Sequence, residues 1–199
     1  MKIPPGSPSL PKVFALATPR HLLAKLHWEI AGFANAEKDR CALGAHLIAA
    51  YHAMNCAITT WHMADWVWNY LDDKSRQQIS NALSLKKVDQ ASFEAHIRAE
   101  CRAINCCRDI ATGSKHMKIT RGGADPSVVA EVSWSYEQAR AGVMRAGDPL
   151  GRYEARLIVH DQHGQRSARE VFSEAFAYWE ALLSRFGLIE DKYIESGAG

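Results

Sequence analysis

This sequence of 199 residues lacks the short motifs that mark several common enzyme classes. It has no G-x-S-x-G elbow, no P-loop and no G-x-G-x-x-G, which argues against the usual hydrolases, kinases and dinucleotide-dependent dehydrogenases. No apolar run approaches the roughly 20 residues that a membrane-spanning helix needs. The formal net charge is only +2, so the overall charge does not by itself indicate a nucleic-acid partner.

Cysteine pairs with metal-site spacing are also missing. The cysteines are odd in number, contain no C-x-x-C pair, and stand at Cys41, Cys56, Cys101, Cys106 and Cys107. Adjacent residues point in different directions on a helix, so Cys106 and Cys107 do not clamp a metal together. Most of the cysteines fall in helical segments, where cysteine behaves as a small apolar residue. We therefore predict free thiols and a reducing, cytoplasmic compartment.

What is present is the composition of an ordinary globular protein, with 47% hydrophobic and 23% charged residues. A chain of this length suffices for one domain with a substantial core. Residues 1–17 hold four of the seven prolines and are expected to form a disordered or surface N-terminal arm. We expect a single domain over residues 18–190 and a flexible tail over residues 191–199.

Helical signals follow the arm. Thr18 and Pro19 form a typical helix start, an N-cap residue followed by proline at the first helical position, and this helix is expected to run to about residue 36. A third long helix is expected to begin near Asp89 or Ser92, with an apolar seam that reaches Ala111 and with Gly113 as a C-cap or weak point. Both segments carry apolar residues at helical spacing, which favours a bundle.

The second helix has the clearest periodicity in the chain. Asp39 is predicted to cap this helix, and the apolar residues of the helix recur in alternating steps of four and three. This seam, typical of helices packed in a bundle, comprises Leu43, Leu47, Ala50, Met54, Ala57, Trp61, Ala64, Trp68 and Leu71. The seam predicts a long helix that packs antiparallel or parallel to its neighbours in a bundle.

The remaining third of the chain carries strand signals before a last helix. Residues 128–136 and 152–160 are rich in β-branched and aromatic residues with rough alternation. Ser167 and Glu170 form a capping box that starts the final helix, which is expected to end at Gly187. The sequence therefore predicts a mainly α fold, a helical bundle with a β-hairpin over about residues 127–162 inserted before the C-terminal helix.

Two polar stripes lie beside the apolar seams. On the second helix His62 and Asp65 are three residues apart, so the carboxylate can orient the imidazole and stabilise its charge. On the third, Asp109 and His116 recur at helical spacing, with Arg108 at their edge. Polar groups beside a core are costly unless they are paired or used. We therefore single out Arg108, His116, Asp65 and His62 as the candidate catalytic residues.

The stripes meet at one end of the bundle if the second and third helices pack along their seams. The cluster would then suit a phosphate or nucleotide, with Arg108 as a planar fork and a histidine as acid or base. It would equally suit a divalent metal held by His62, Asp65, Asp109 and His116. The chain has no H-E-x-x-H or Glu-x-x-His pair, so we assign no metal and no cofactor.

The stripes resemble the active site of the HEPN superfamily, the nucleotide-binding helical domains of higher eukaryotes and prokaryotes. That family combines an arginine and a histidine, four to six residues apart, with a polar or acidic residue on another helix. Here seven residues separate Arg108 from His116, Asp109 follows the arginine, and Asp65 lies on the neighbouring helix. The resemblance covers residues 40–117. It implies an often dimeric bundle of the kind found in bacterial defence and toxin systems, with RNA or nucleotide binding and, in many members, metal-independent RNase activity.

Three functional hypotheses remain open. In the first, a HEPN-like domain binds RNA or a nucleotide; Arg108 holds phosphate, His116 acts as acid or base, and His62 with Asp65 supports it. In the second, tryptophan-rich helices form the homodimer interface of a non-catalytic interaction protein, and the polar stripes are structural. In the third, the bundle binds a metal. None of them involves a membrane.

Overall fold

The elements of this chain begin and end close to the sequence signals described above. The computed structural model describes residues 16–38, 44–115, 125–138 and 151–189. Within these ranges the elements are, in chain order, α1 Pro19–Lys38, α2 Ala45–Tyr70, α3 Asp73–Ala82, α4 Gln90–Glu100, α5 Arg102–Lys115, β1 Val129–Gln138, β2 Gly151–Asp161, β3 Gly164–Ser167 and α6 Ala168–Arg185. The protein is mainly helical, with a small antiparallel sheet before the C-terminal helix, which confirms the predicted fold class. Residues 1–15 of the predicted arm and the predicted tail lie outside the described residues.

Capping side chains explain where several helices start. The Thr18 hydroxyl accepts a backbone hydrogen bond in the first turn of α1, as the Thr-Pro signal predicts. Asp89 caps α4 by accepting the backbone N–H of Ser92 at 2.7 Å. Ser167 and Glu170 form the predicted reciprocal capping box at the start of α6. The predicted cap of the second helix, Asp39, lies outside the described residues.

The third helix is not continuous, and the prediction of one long helix there is wrong. It is divided into α4 and α5 at Cys101, whose backbone is extended at φ −126° and ψ 103°. Cys101 is neither glycine nor proline, so no local signal marks the break. The extended residue is only 3% exposed. The break lets α5 take its own direction, with Arg102 and Cys106 turned towards the end of β2.

The seam of α2 is only partly buried within the chain. Ala57, Ala64, Trp68 and Leu71 are buried, whereas Leu47 and Met54 are 48% and 43% exposed. A straight α-helix turns about 100° per residue, so a seven-residue repeat drifts by about 20° per heptad around the helix axis. Leu47 and Met54 lie about 140° and about 120° around α2 from Thr60, which faces Cys107 of α5. The first half of the seam has therefore turned away from α5.

The helices α2 and α5 run antiparallel. Near the middle of α2 the Thr60 hydroxyl lies beside the Cys107 thiol of α5. Nearer the start of α2, Ala53 lines the same groove as Ile110, which lies further along α5. The indole N–H of Trp179 in α6 donates to the Thr60 carbonyl at 3.1 Å and so joins α6 to α2.

The sheet has the order β1-β2-β3, with both neighbouring pairs antiparallel. The predicted hairpin is present as β1 and β2, with Val129 opposite His160. The strand β3 was not predicted, because its four residues Gly-Gln-Arg-Ser carry no apolar alternation. The turn before β3 uses Gly164 at φ 114°, a conformation that favours glycine. Among the described residues, no helix combines the length and the apolar character that crossing a bilayer demands.

Candidate functional site

Asp65 is exposed on α2 and has local partners. Its Oδ1 accepts hydrogen bonds from the side-chain amide of Asn69 at 2.8 Å and from that of Gln90 at 3.2 Å. These contacts join the end of α2 to the start of α4. His62, one turn earlier on α2, is half-buried. The carboxylate of Asp65 therefore has a structural use at this corner of the bundle.

Arg108 and Asp109 form a pair that is almost completely buried. Their side chains are 12% and 3% exposed, and Nη1 of Arg108 donates to Oδ1 of Asp109 at 2.6 Å. The second oxygen of Asp109 accepts the backbone N–H of Asp125 at 3.0 Å. Asp109 therefore fastens the chain that enters β1 onto α5. Removing one partner of such a pair would leave an uncompensated buried charge, which is strongly destabilising.

The described geometry gives the two stripes separate surroundings. At about 100° per residue, His62 and Asp65 lie about 160° and about 140° around α2 from Thr60. Thr60 faces Cys107 of α5, so both stripe residues lie on the side of α2 turned away from α5. These positions do not bring the two stripes together at one end of the bundle, contrary to expectation. The role of these residues in a site stays a prediction.

His116, the fourth candidate residue, lies outside the described residues. The proposed metal set of His62, Asp65, Asp109 and His116 therefore cannot be assembled from described positions alone. Across residues 16–38, 44–115, 125–138 and 151–189, no group of three or more His, Cys, Asp or Glu side chains is placed to hold a metal ion.

A polar cleft lies where α4 and α5 meet the turn between β2 and β3. Its volume is about 240 Å³, and its lining residues are Arg98, Ala99, Arg102, Asn105, Asp125, Asp161, Gln162 and His163. No single sequence pattern marks this cleft, because its lining comes from three separate stretches of the chain, residues 98–105, Asp125 and residues 161–163. The break at Cys101 and the position of β3 were both needed to find it.

Asp161 is the centre of that cleft, with a side chain only 5% exposed. Both of its oxygens accept hydrogen bonds from Arg102. The backbone N–H of His163 donates to Oδ1 at 2.8 Å, and the Cys106 thiol lies 3.4 Å from Oδ2. The Arg102 guanidinium holds the pKa of the Asp161 carboxyl well below its usual range. Asp161 therefore stays ionised and locks the β2–β3 turn against α5.

The charges of the cleft largely balance. Arg102 is paired with Asp161, and Arg98 donates to the Asn105 side chain at 2.8 Å. The carboxylate of Asp125 accepts hydrogen bonds from Ser127. No excess of one charge accumulates among these lining groups, so the cleft does not favour a phosphate-bearing ligand.

An exposed apolar patch is formed by Leu47, Tyr51 and Met54 of α2 together with Trp134 of β1. These side chains are 48%, 62%, 43% and 52% exposed. The three α2 residues follow steps of four and three, so they share one face of the helix. The Trp134 ring packs on His46 with 4.9 Å between ring centroids, which places β1 beside the start of α2.

A shallow apolar groove of about 190 Å³ continues the patch beneath the sheet. Met54 belongs to both, and Val132 of β1 and Phe172 of α6 lie on the far walls. Residues 132 and 134 are two apart on one strand, so they share a face. Their partners in β2, Leu157 and Ala155, are buried against the helices. The inner face of β1 and the exposed face of α2 therefore form one continuous apolar surface.

Comparisons with protein-family models, with curated proteins and with solved structures return no match to this chain.

Proposed function

We propose that this protein is a homodimeric interaction protein that assembles through its apolar patch. The supporting observation is the exposure of Leu47, Tyr51 and Met54 at regular helical spacing. Exposed apolar residues scattered singly are normal on protein surfaces, whereas a contiguous stripe indicates an interaction site. Leu47 and Met54 belong to the first half of a seam whose second half is buried within the chain, and Tyr51 lies beside them on the same face of α2. A second copy would supply the missing partner surface.

The oligomeric state tests this proposal directly. Sedimentation equilibrium of the full chain is expected to show a dimer, and Tyr51→Lys is expected to yield monomers by placing a charge in the contact. Val88→Lys is the control, because Val88 is 45% exposed in the connection between α3 and α4, outside the patch. Unchanged circular dichroism in both variants shows that the fold is retained. A monomeric wild type at high micromolar concentration would refute the proposal.

RNA or nucleotide binding by a HEPN-like domain is a second proposal. The supporting observation is the fixed position of Arg108, held by Asp109. The carboxylate of Asp109 also accepts the backbone N–H of Asp125. His116, the acid or base of this proposal, lies outside the described residues.

Histidine substitutions test the second proposal. If His116 acts as acid or base, His116→Ala abolishes cleavage of a single-stranded RNA while the melting temperature stays unchanged. His163→Ala is the matched control, because His163 is an exposed histidine on the β2–β3 turn. Equal cleavage by wild type and His116→Ala would exclude this role.

A further inference from the structure

One edge of the sheet is open among the described residues. β1 pairs with β2 along its whole length, and the strand order places no described strand on its other side. Natural proteins usually protect long edge strands with lysine, proline or a bulge. β1 has neither lysine nor proline, and its register with β2 runs without interruption from Val129 to Gln138. Such an edge is suited to pairing with another strand.

The turn between β2 and β3 determines which groups β1 offers at that edge. Two residues connect Asp161 to its partner Gly164, and the pair that closes such a hairpin exchanges both hydrogen bonds. Asp161 therefore points its backbone groups to β3, and its alternate neighbours His160 and Ile158 point theirs to β1. Their partners in β1 point back to β2. It follows that Ala130, Val132 and Trp134 present N–H and C=O groups at the open edge.

The same edge borders the apolar patch. Val132 and Trp134 lie on the inner face of β1, where Val132 shares the groove with Met54 and Trp134 packs on His46. A strand added outside β1 would extend this inner face over the exposed side of α2. The added strand would need apolar residues on its inner face, and β1 itself has them.

We propose that β1 pairs antiparallel with β1 of a second copy, so that two sheets of three strands become one sheet across the dimer. This inference rests on the proposed homodimer and names the element that joins the two copies. The inner face of each β1 then covers the α2 stripe of the other copy. Backbone hydrogen bonds define the alignment, and the apolar patch provides the burial.

The charges of β1 select one register. Its two charged residues are Glu131 and Glu137. A pairing centred on Ser133 aligns residues 129–137 of both copies, with Glu131 opposite Ser135 and Glu137 opposite Val129. Centring on Glu131 or on Trp134 places two glutamates directly opposite each other, which is destabilising. Centring on Val132 avoids this contact but pairs a shorter stretch of the strand.

The area of the apolar patch is too small for a stable dimer interface unless a paired strand adds to it. Side chains of this size offer on the order of 200 Å² each when fully exposed, so the four patch residues, each about half exposed, supply about 400 Å² per copy. A stable interface buries about 800 Å² per partner. The patch alone is therefore about half of what is needed, and a paired β1 supplies further contact area.

Serine-to-cysteine variants of the full chain test the register. Ser133 and Ser135 are both exposed on β1. In the proposed register Ser133 faces itself across the two-fold axis at a position that is not hydrogen-bonded, where Cα atoms lie about 4.5 Å apart and a disulfide can form. Ser133→Cys is expected to give a covalent dimer on mild oxidation. Ser135→Cys, which faces Glu131 of the second copy, is expected to give none, and wild type controls for the native cysteines.

A proline variant tests the use of the edge independently. Ala130→Pro removes an N–H that points away from β2, so the fold is expected to remain intact. Each such substitution removes an intermolecular hydrogen bond in both copies, and the dimer is expected to dissociate at least about tenfold more readily. A dimer that Ser133→Cys does not cross-link, or that Ala130→Pro does not weaken, would overturn this inference and leave the proposed function intact. A wild-type monomer would overturn both.

Discussion

Replacing Asp161 with asparagine removes the charge that holds the β2–β3 turn against α5. The Asp161 side chain is 5% exposed; it pairs with Arg102, contacts the Cys106 thiol and accepts the backbone N–H of His163. Breaking a buried ion pair by removing one partner costs roughly 3–5 kcal/mol, and less where the remaining charge reaches water. The Arg102 side chain is 34% exposed, so part of its hydration can be recovered. We therefore expect Asp161→Asn to lower the free energy of unfolding by about 2–3 kcal/mol.

Urea denaturation monitored by circular dichroism measures this loss. In a separate thermal melt the midpoint temperature is expected to fall by about 5–10 °C, given the usual 2–4 °C per kcal/mol for a chain of this size. Asp73→Asn is the matched control, because Asp73 pairs with Arg76 at 3.0 Å while its side chain is 99% exposed. We expect the control to change little, since exposed ion pairs contribute little to stability. Equal losses in the two variants would refute the argument from burial.

The pH dependence gives a second measurement on the same variant. The pKa of Asp161 is lowered in the folded protein, so its stabilisation is fully present above the unfolded pKa, near the ordinary value of 3.8. The stabilisation is lost as the pH falls from there towards the folded pKa. The stability difference between wild type and Asp161→Asn should therefore stay constant above about pH 5 and shrink below about pH 4. A difference that grows on acidification would contradict this assignment.

Three further predictions concern a packing contact at Gly32, the burial of two thiols and the cap of α6. A Cβ at Gly32 would meet the His52 ring at 2.8 Å, so in wild type Gly32→Ala must displace that ring and is expected to stabilise by less than the roughly 0.5–1 kcal/mol that alanine gains over glycine in a helix. In a His52→Ala background the full gain of about 0.5–1 kcal/mol is expected; urea denaturation of the four chains gives both values, and equal gains would exclude the contact. Burial raises the pKa of the Cys106 thiol to about 11 and that of Cys56 to about 12. Both thiols should resist alkylation at mildly alkaline pH in the folded chain, and rapid labelling by mass spectrometry would contradict their burial. Ser167→Ala removes a capping box and should cost about 1 kcal/mol in thermal melting; an unchanged midpoint would show that this cap adds no stability.

Features decided by neighbouring residues were predictable from the sequence. The Thr18-Pro19 start, the capping box at Ser167 and the hairpin before α6 all depend on residues close together in the chain. The break at Cys101 was not predictable, because no glycine or proline marks it. The strand β3 was missed for a related reason, since it is held by pairing with β2 rather than by its own composition.

The same distinction applies to the candidate site, where contacts between sequence neighbours were predictable and contacts between distant segments were not. The pairing of Arg108 with Asp109 joins sequence neighbours, and the sequence singled out both. The capture of the Asp125 backbone by Asp109 and the pairing of Arg102 with Asp161 join distant segments and left no pattern to find. Wherever the partner of a polar side chain comes from another part of the fold, residue spacing identifies the polar group without identifying its use.

The α2 seam shows the same limit for contacts between two chains. A heptad-like seam predicts that apolar residues will be buried, but it does not state which surface covers them. From Ala57 to Leu71 the covering surface lies within the chain, whereas Leu47 and Met54 of the seam, and Tyr51 beside them, remain about half exposed. An apolar side chain that stays half exposed in the folded monomer gains only part of the stabilisation that full burial provides. The first half of the seam can therefore contribute fully only in an assembly, and β1 beside it offers the backbone groups that would align one.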